Sequence, residues 1–220
     1  MEVKNSGYYK NIRPEMLQFI PSSAKTILEI GCGAGNFSAQ LVKEGTETWG
    51  VEPFEESAKE AQNKLYKVVV GTLDEKLNEL PNNYFDVIVM NDVLEHLLEP
   101  WDDIENLKVK LKQDGVLVTS IPNVRYSKNI FKMIFKRDWK YTDDLILDRT
   151  HYRFFTKKSI KRMFNDCGYT IESIKGINTT KSFLYFPFAI LFNILFLGTQ
   201  LDMFFMQHAT VAKKKTNKNS

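Results

Sequence analysis

The chain alternates between two hydrophobic rhythms. Short, nearly unbroken apolar runs at 27–30, 48–51, 68–70, 84–90 and 115–122 read as strands buried on both faces. Between and after them, apolar residues return every three or four positions: Ala58, Ala61 and Leu65, then Ile104, Leu107 and Leu111, then Ile160, Met163, Phe164 and Cys167. That spacing predicts amphipathic helices. Acids mark their first turns (Glu55 and Glu56, Asp102 and Asp103), and Gly45 and Gly168 act as stops. Pro14 opens a short helix that carries Met16, Leu17 and Ile20 inward. Such alternation predicts an α/β fold around a parallel sheet, with two further strands at 171–177 and 206–212.

The first strand runs directly into Gly31, Gly33 and Gly35, and a helix is predicted from Asn36 with Phe37 and Leu41 on one face. Without Cβ atoms, backbone N–H groups in such a turn can approach a ligand closely. The spacing argues against a dinucleotide, whose third glycine stands three residues after the second rather than two. Glu29, the acid near the strand end, would repel a pyrophosphate and suits a cationic amine. Glu52 closes the second strand about 20 residues after Gly31, the offset of a carboxylate that holds ribose hydroxyls. The blander readings are a ligand-free turn and an acid that favours the next helix N-terminus.

The stretch Glu29-Ile-Gly-Cys-Gly-Ala-Gly35 resembles the cofactor motif of the class I S-adenosylmethionine-dependent methyltransferases. The resemblance covers about residues 8–212. It implies a Rossmann-like, seven-stranded, mostly parallel sheet with helices on both faces and a C-terminal antiparallel hairpin, in one domain over residues 1–212. It implies S-adenosyl-L-methionine as cofactor, with contacts from Glu29, Gly31, Cys32, Gly33, Gly35, Asn36 and Phe37, and from Glu52 and Pro53. In many relatives an N-terminal Tyr or Arg meets the methionine carboxylate, which points to Tyr9 and Arg13. Many also carry an Asp directly after Gly71 to read the adenine; Thr72 stands there, and Leu73 and Asp74 are the substitutes. The segment from Asn91 to Pro100 resembles the post-strand motif of small-molecule methyltransferases, where Asn91, Asp92 and Val93 skirt the sulfonium.

The acceptor half is less explicit. Residues 123–155 form a cap, in which Ile130, Phe131, Ile134 and Phe135 interleave with Arg125, Lys128, Lys132 and Lys136 as a basic amphipathic helix. It reads equally as an acceptor cover or as an edge helix with solvated lysines. The segment His151-Tyr-Arg-Phe-Phe-Thr156 resembles bacterial methyltransferases encoded with surface-polysaccharide enzymes, and the ubiquinone-pathway O-methyltransferases. Transfer to a hydroxyl needs a positioned acceptor and a base. Of the three histidines, His208 falls in the last strand and reads as structural; His151, then His96, are the candidate bases. Asp92-x-x-Glu95-His96 resembles a Glu-x-x-Glu-His sequence that binds a divalent cation in some members. With Asp in place of the first Glu, no metal is expected. The expected activity is methylation of a small molecule or sugar, at oxygen, in cell-surface glycan or secondary metabolism. A non-catalytic S-adenosylmethionine-binding module is the alternative, but its sign would be loss of Glu29, the glycines or Glu52, and all are present.

Composition narrows the partners. Hydrophobic residues are 43%, charged residues 26% and the net charge is only +3. That fits a globular chain and gives no case for a nucleic-acid partner. Cys32 and Cys167 lie in a turn and a helical pattern, so no disulfide is expected and a reducing cytoplasm fits. Residues 213–220 read as a solvated basic tail. Between the last two strands, residues 183–197 carry no charge, and Pro187 interrupts the run. The run falls short of the roughly 20 residues that span a bilayer. A partly exposed helix is expected there, touching either the inner face of the membrane as a peripheral contact or a second copy in a homodimer; the bland reading is a helix covering the sheet edge.

Overall fold

The computed structural model describes residues 12–179 and 182–215. Five strands, β1 (Thr26–Ile30), β2 (Glu47–Glu52), β3 (Lys67–Val70), β4 (Phe85–Asn91) and β5 (Leu111–Pro122), pair in parallel. The last two, β6 (Tyr169–Thr179) and β7 (Phe205–Lys214), complete a seven-stranded sheet of order β3-β2-β1-β4-β5-β7-β6, with β7 antiparallel to both neighbours. The chain order reverses between β1 and β4, so the crevice beyond their carboxyl ends is the place where such folds bind ligands.

Among the described residues, seven α-helices complete the frame: α1 (Asn36–Ala39), α2 (Glu55–Gln62), α3 (Leu73–Lys76), α4 (Pro100–Leu107), α5 (Ser127–Phe131), α6 (Lys157–Asp166) and α7 (Tyr185–Leu195). Alternate strand residues serve opposite faces, as the pleat requires. Leu28, Ile30, Ile88, Met90 and Leu117 pack on one face with Ile104 and Leu107 of α4 and Ile160 and Phe164 of α6. Ile27, Val87, Val89, Val116 and Val118 pack on the other with Met16, Phe19 and Phe37.

Several elements depart from the sequence expectation. The helix from Asn36 is a single turn, because Thr46 captures the backbone that would extend it: Lys43 N–H donates to Thr46 Oγ1 at 2.8 Å and Thr46 N–H to Lys43 O at 3.0 Å. Leu111 lies on β5 opposite Phe85, not on the preceding helix; a register shift after Phe85 lets the strand start early while Leu111 stays fully buried. The basic helix is α5 continued by a π-helical stretch, Lys132–Lys136, ended by Arg137 at φ 51°. Pro187 does not interrupt α7. It sits in the first turn, where its missing N–H removes no helical bond. Lys213 and Lys214 are β7 residues rather than a solvated tail: Lys213 Nζ pairs with Glu172 at 2.6 Å, and Lys214 Nζ donates to Leu111 O at 3.0 Å. Lys215 is tied to Asn165 O at 2.7 Å, and residues 216–220 lie outside the described residues. No helix among the described residues is long and apolar enough to cross a membrane.

Candidate active site

Three strand ends build the crevice. Beyond β1, Gly31 (φ 68°) turns the chain, and its N–H and that of Cys32 donate to Val51 O at 2.8 and 3.2 Å. A Cβ on Gly31 would stand 2.9 Å from Val93 Cγ2, so only glycine lets the segment after β4 close over the turn. Gly35 N–H donates to Cys32 O at 2.8 Å, and Gly33 N–H to Glu52 Oε2 at 2.8 Å. The turn therefore spends these donors on itself and on β2. Two acids, Glu29 and Glu52, border it.

Glu52, at the end of β2, is 3% exposed, and its Oε1 accepts from Phe54 N–H at 3.0 Å. Burial raises its carboxyl above the ordinary value, against the pull of the Phe54 and Gly33 amides. Each oxygen accepts one of these bonds and retains a lone pair that ribose hydroxyls can use. Glu29, also 3% exposed, accepts from Ser38 Oγ at 2.7 Å and Asn91 Nδ2 at 3.4 Å. Burial lifts its carboxyl from 4.5 to about 7, and the hydrogen bonds from Ser38 and Asn91 only partly oppose this.

The other expected cofactor contacts divide. Cys32 Sγ lies beneath Gly50, where a Cβ would meet it at 2.5 Å, and its side chain packs with Ala61 and Leu65. Burial, then the nearby acids Glu29 and Glu52, push its thiol well above the usual range. Phe37 is equally a core residue. Asn36 Oδ1 accepts from Lys64 Nζ at 2.7 Å, and Pro53 follows Glu52 half-buried. Leu73 joins the core, and the exposed Asp74 hydrogen-bonds Asp103, whose carboxyl is raised to about 7 chiefly by burial. Thr72 is the N-cap of α3 in a reciprocal box with Glu75. Tyr9 lies outside the described residues.

Asp92 (φ 53°) bonds to three residues: Arg13, Ser120 Oγ at 3.1 Å and Gln207 Nε2 at 2.6 Å donate to its carboxylate, and its own N–H donates to Ser120 O at 3.1 Å. Arg13 also reaches Glu15 at 2.8 Å. Sequence reasoning placed Arg13 and Asp92 at the site without joining them, and it missed Ser120 and Gln207. Their only signal is polarity at strand ends, which does not say which edge they face.

The two candidate bases meet. His96 and His151 stack edge-on with ring centroids 4.6 Å apart. Each directs Nδ1 at a carbonyl: His151 to Ile146 O at 3.0 Å and His96 to Thr150 O at 3.1 Å. A proton on Nδ1 satisfies both contacts and makes Nε2 the basic nitrogen. His151 Nε2 stands 3.9 Å from Glu95 Oε1. Glu95, His96 and His151 offer ligand atoms within 4.8 Å of one another, a set that could hold a metal. The structure thus replaces Asp92 by His151 in the set suggested by the sequence.

Residues 4–174 match the family described as Methyltransferase domain, so the chain belongs to the methyltransferases, in the S-adenosylmethionine-dependent class. It is 26% identical over 188 residues to the ubiquinone biosynthesis O-methyltransferase of Histophilus somni, covering 75% of this chain and 78% of that one. Its fold matches a SAM-dependent methyltransferase from Archaeoglobus fulgidus with a TM-score of 0.66 at 22% identity, over 96% and 95% of the two chains. It also matches a magnesium protoporphyrin IX methyltransferase from Synechocystis with bound SAH, with a TM-score of 0.59 at 15% identity, over 96% and 83%. The two buried acids beside the glycine turn fit the cofactor of this class.

Proposed function

We propose that the protein methylates a hydroxyl group on a small, ring-bearing acceptor at the crevice mouth bordered by His96 and His151. When bound, the cofactor supplies an electrophilic methyl group. Glu52 holds its ribose, Glu29 attracts its amine, and His151 takes the hydroxyl proton on Nε2. The carrying observation is the fixed orientation of His151: Nδ1 on the Ile146 carbonyl leaves Nε2 as the basic nitrogen, and the Glu95 carboxylate, 3.9 Å away, is near enough to stabilise the ring once protonated. The Phe154 ring lies 6.3 Å from that of His151 and 5.5 Å from that of Trp139. These rings, and the relative in ubiquinone biosynthesis, favour a quinone-like or phenolic acceptor over a glycan.

A second reading rests on the same cluster: Glu95, His96 and His151 hold a divalent cation that lowers the hydroxyl pKa. Release of S-adenosylhomocysteine with phenolic and sugar acceptors tests both. His151→Ala is expected to lower turnover about 100-fold or more while leaving cofactor affinity within about threefold. Full activity in that variant overturns the base assignment; loss on chelation, restored by a divalent cation, selects the metal reading.

A further inference from the structure

The outer side of α7 has no cover among the described residues. A helix that is apolar all round normally lies inside a protein. Only Ala189 and Asn193 of α7 are buried, whereas Ile194, Leu195 and Leu197 are 68%, 67% and 91% exposed. From 183 to 201 there is no charged residue.

The helix does not stand alone. Phe131 and Phe135 pack on Phe188 with ring centroids 5.3 and 5.7 Å apart, which joins α7 to the α5 and π-helical segment. There the exposed Met133, Ile134 and Phe135 lie beside the exposed cations Lys136, Arg137 and Lys140, none of which has a salt bridge to a described residue. Trp139 and Tyr141, 38% and 51% exposed, follow at once. Apolar side chains, an aromatic pair and a cationic flank are the composition of a surface that sits in a lipid interface.

Its place in the fold fits. β7 runs antiparallel to β5 with Gln207 opposite Pro122, so α7 (before β7) and α5 (after β5) both emerge at the carboxyl edge, where the crevice opens. An 11-residue helix extends only about 16 Å, half a hydrocarbon core, so it lies along the surface and does not cross.

We infer that α7 and the Lys132–Lys136 flank form a docking surface for an anionic lipid bilayer. A second copy is the lesser occupant: residues 132–141 carry four cations against the single acid Asp138, and a two-fold contact would set that flank against itself.

Co-sedimentation of the full chain with vesicles tests this. Binding to vesicles of mixed phosphatidylcholine and phosphatidylglycerol is expected to exceed binding to phosphatidylcholine alone by about tenfold and to weaken in high salt. Ile194→Ser with Leu195→Ser should lower it about tenfold, with S-adenosylhomocysteine affinity unchanged as the sign of an intact fold. If that pair fails to fold, Leu197→Ser takes its place. Lys136→Gln with Lys140→Gln should remove most of the salt dependence. Absence of binding by the native chain, or unaltered binding by the apolar variants, overturns the inference. So does a dimer in solution that the apolar variants split, which would assign the face to a second copy.

Discussion

The amide of Gly33 donates to the carboxylate of Glu52 at 2.8 Å, fastening the glycine turn after β1 to the end of β2. The same carboxylate thus shapes the turn and borders the crevice, and its removal should act on both. Glu52→Ala leaves a buried N–H without its acceptor, a cost of about 1–3 kcal/mol in stability. Cofactor affinity should fall at least tenfold through the lost ribose contacts. Glu52→Gln keeps one acceptor oxygen but sets its NH2 against the other amide donor, so it should recover only part of the stability and little of the affinity. Calorimetric titration with S-adenosylhomocysteine decides: affinity within twofold of native in Glu52→Ala would exclude the ribose role.

Glu29 should make stability fall as pH rises. Its folded carboxyl holds its proton to about pH 7, against 4.5 when unfolded. Between these values the folded state binds more protons, so stability declines through that window, by roughly 3 kcal/mol if the whole shift is expressed. Glu29→Gln abolishes the decline: equal to native near pH 4, the variant should melt higher at pH 8. Its cofactor affinity should also lose the rise with pH expected when an ammonium draws the acid into its charged form. A variant no more stable than native at pH 8 would contradict the buried acid.

His208 should act in the opposite sense. Burial lowers its folded pKa from 6.5 to about 4, opposed by nearby Asp202 and reinforced by Lys157, and neither ring nitrogen finds a partner among the described residues. Between pH 6.5 and 4 the unfolded chain binds the extra proton, so acidification removes about 3 kcal/mol. Over the shared window this offsets Glu29, and neither effect stands out in a native melting curve. His208→Leu, similar in size and without the unpartnered nitrogens, should be more stable than native, with the advantage growing from pH 7.5 to 5 in denaturant titrations. An advantage independent of pH would refute the titration.

What could be read in the sequence was local. The glycine turn, the acid of β2 and the periodic helices α2, α4 and α6 are set by neighbours a few residues apart, and their spacing survives without coordinates. The seven-stranded, mostly parallel sheet with its antiparallel C-terminal hairpin followed from alternation and family resemblance, but the strand order comes from the structure alone. What escaped depends on strand ends meeting in space. Ser120 faces Asp92 because β5 pairs with β4 at Asn91, and Gln207 joins them because β7 inserts between β5 and β6. His96 and His151 were both candidates, but only folding brings the 148–153 segment against Glu95, whose carbonyl accepts from Tyr152 N–H at 2.9 Å. Single-turn α1 was lost for a different reason, since Thr46 diverts the backbone by a side-chain bond that periodicity does not register.

The pairing of Thr179 with Phe205 means that the chain leaves and re-enters the sheet at one rung of the β6–β7 ladder. The turn after α7 is held by its own bonds and by the segment after β5: Asn193 donates to Ala189 O and Gln200 O at 2.9 and 3.1 Å and accepts from Gln200 N–H at 3.1 Å, and Arg125 Nε donates to Asp202 Oδ2 at 2.7 Å. Loop-closure entropy grows only slowly with length, so such a cassette can be lengthened, shortened or exchanged at small cost to the hairpin that carries it. The excursion can therefore change in length or sequence while the strand ends that build the crevice stay fixed.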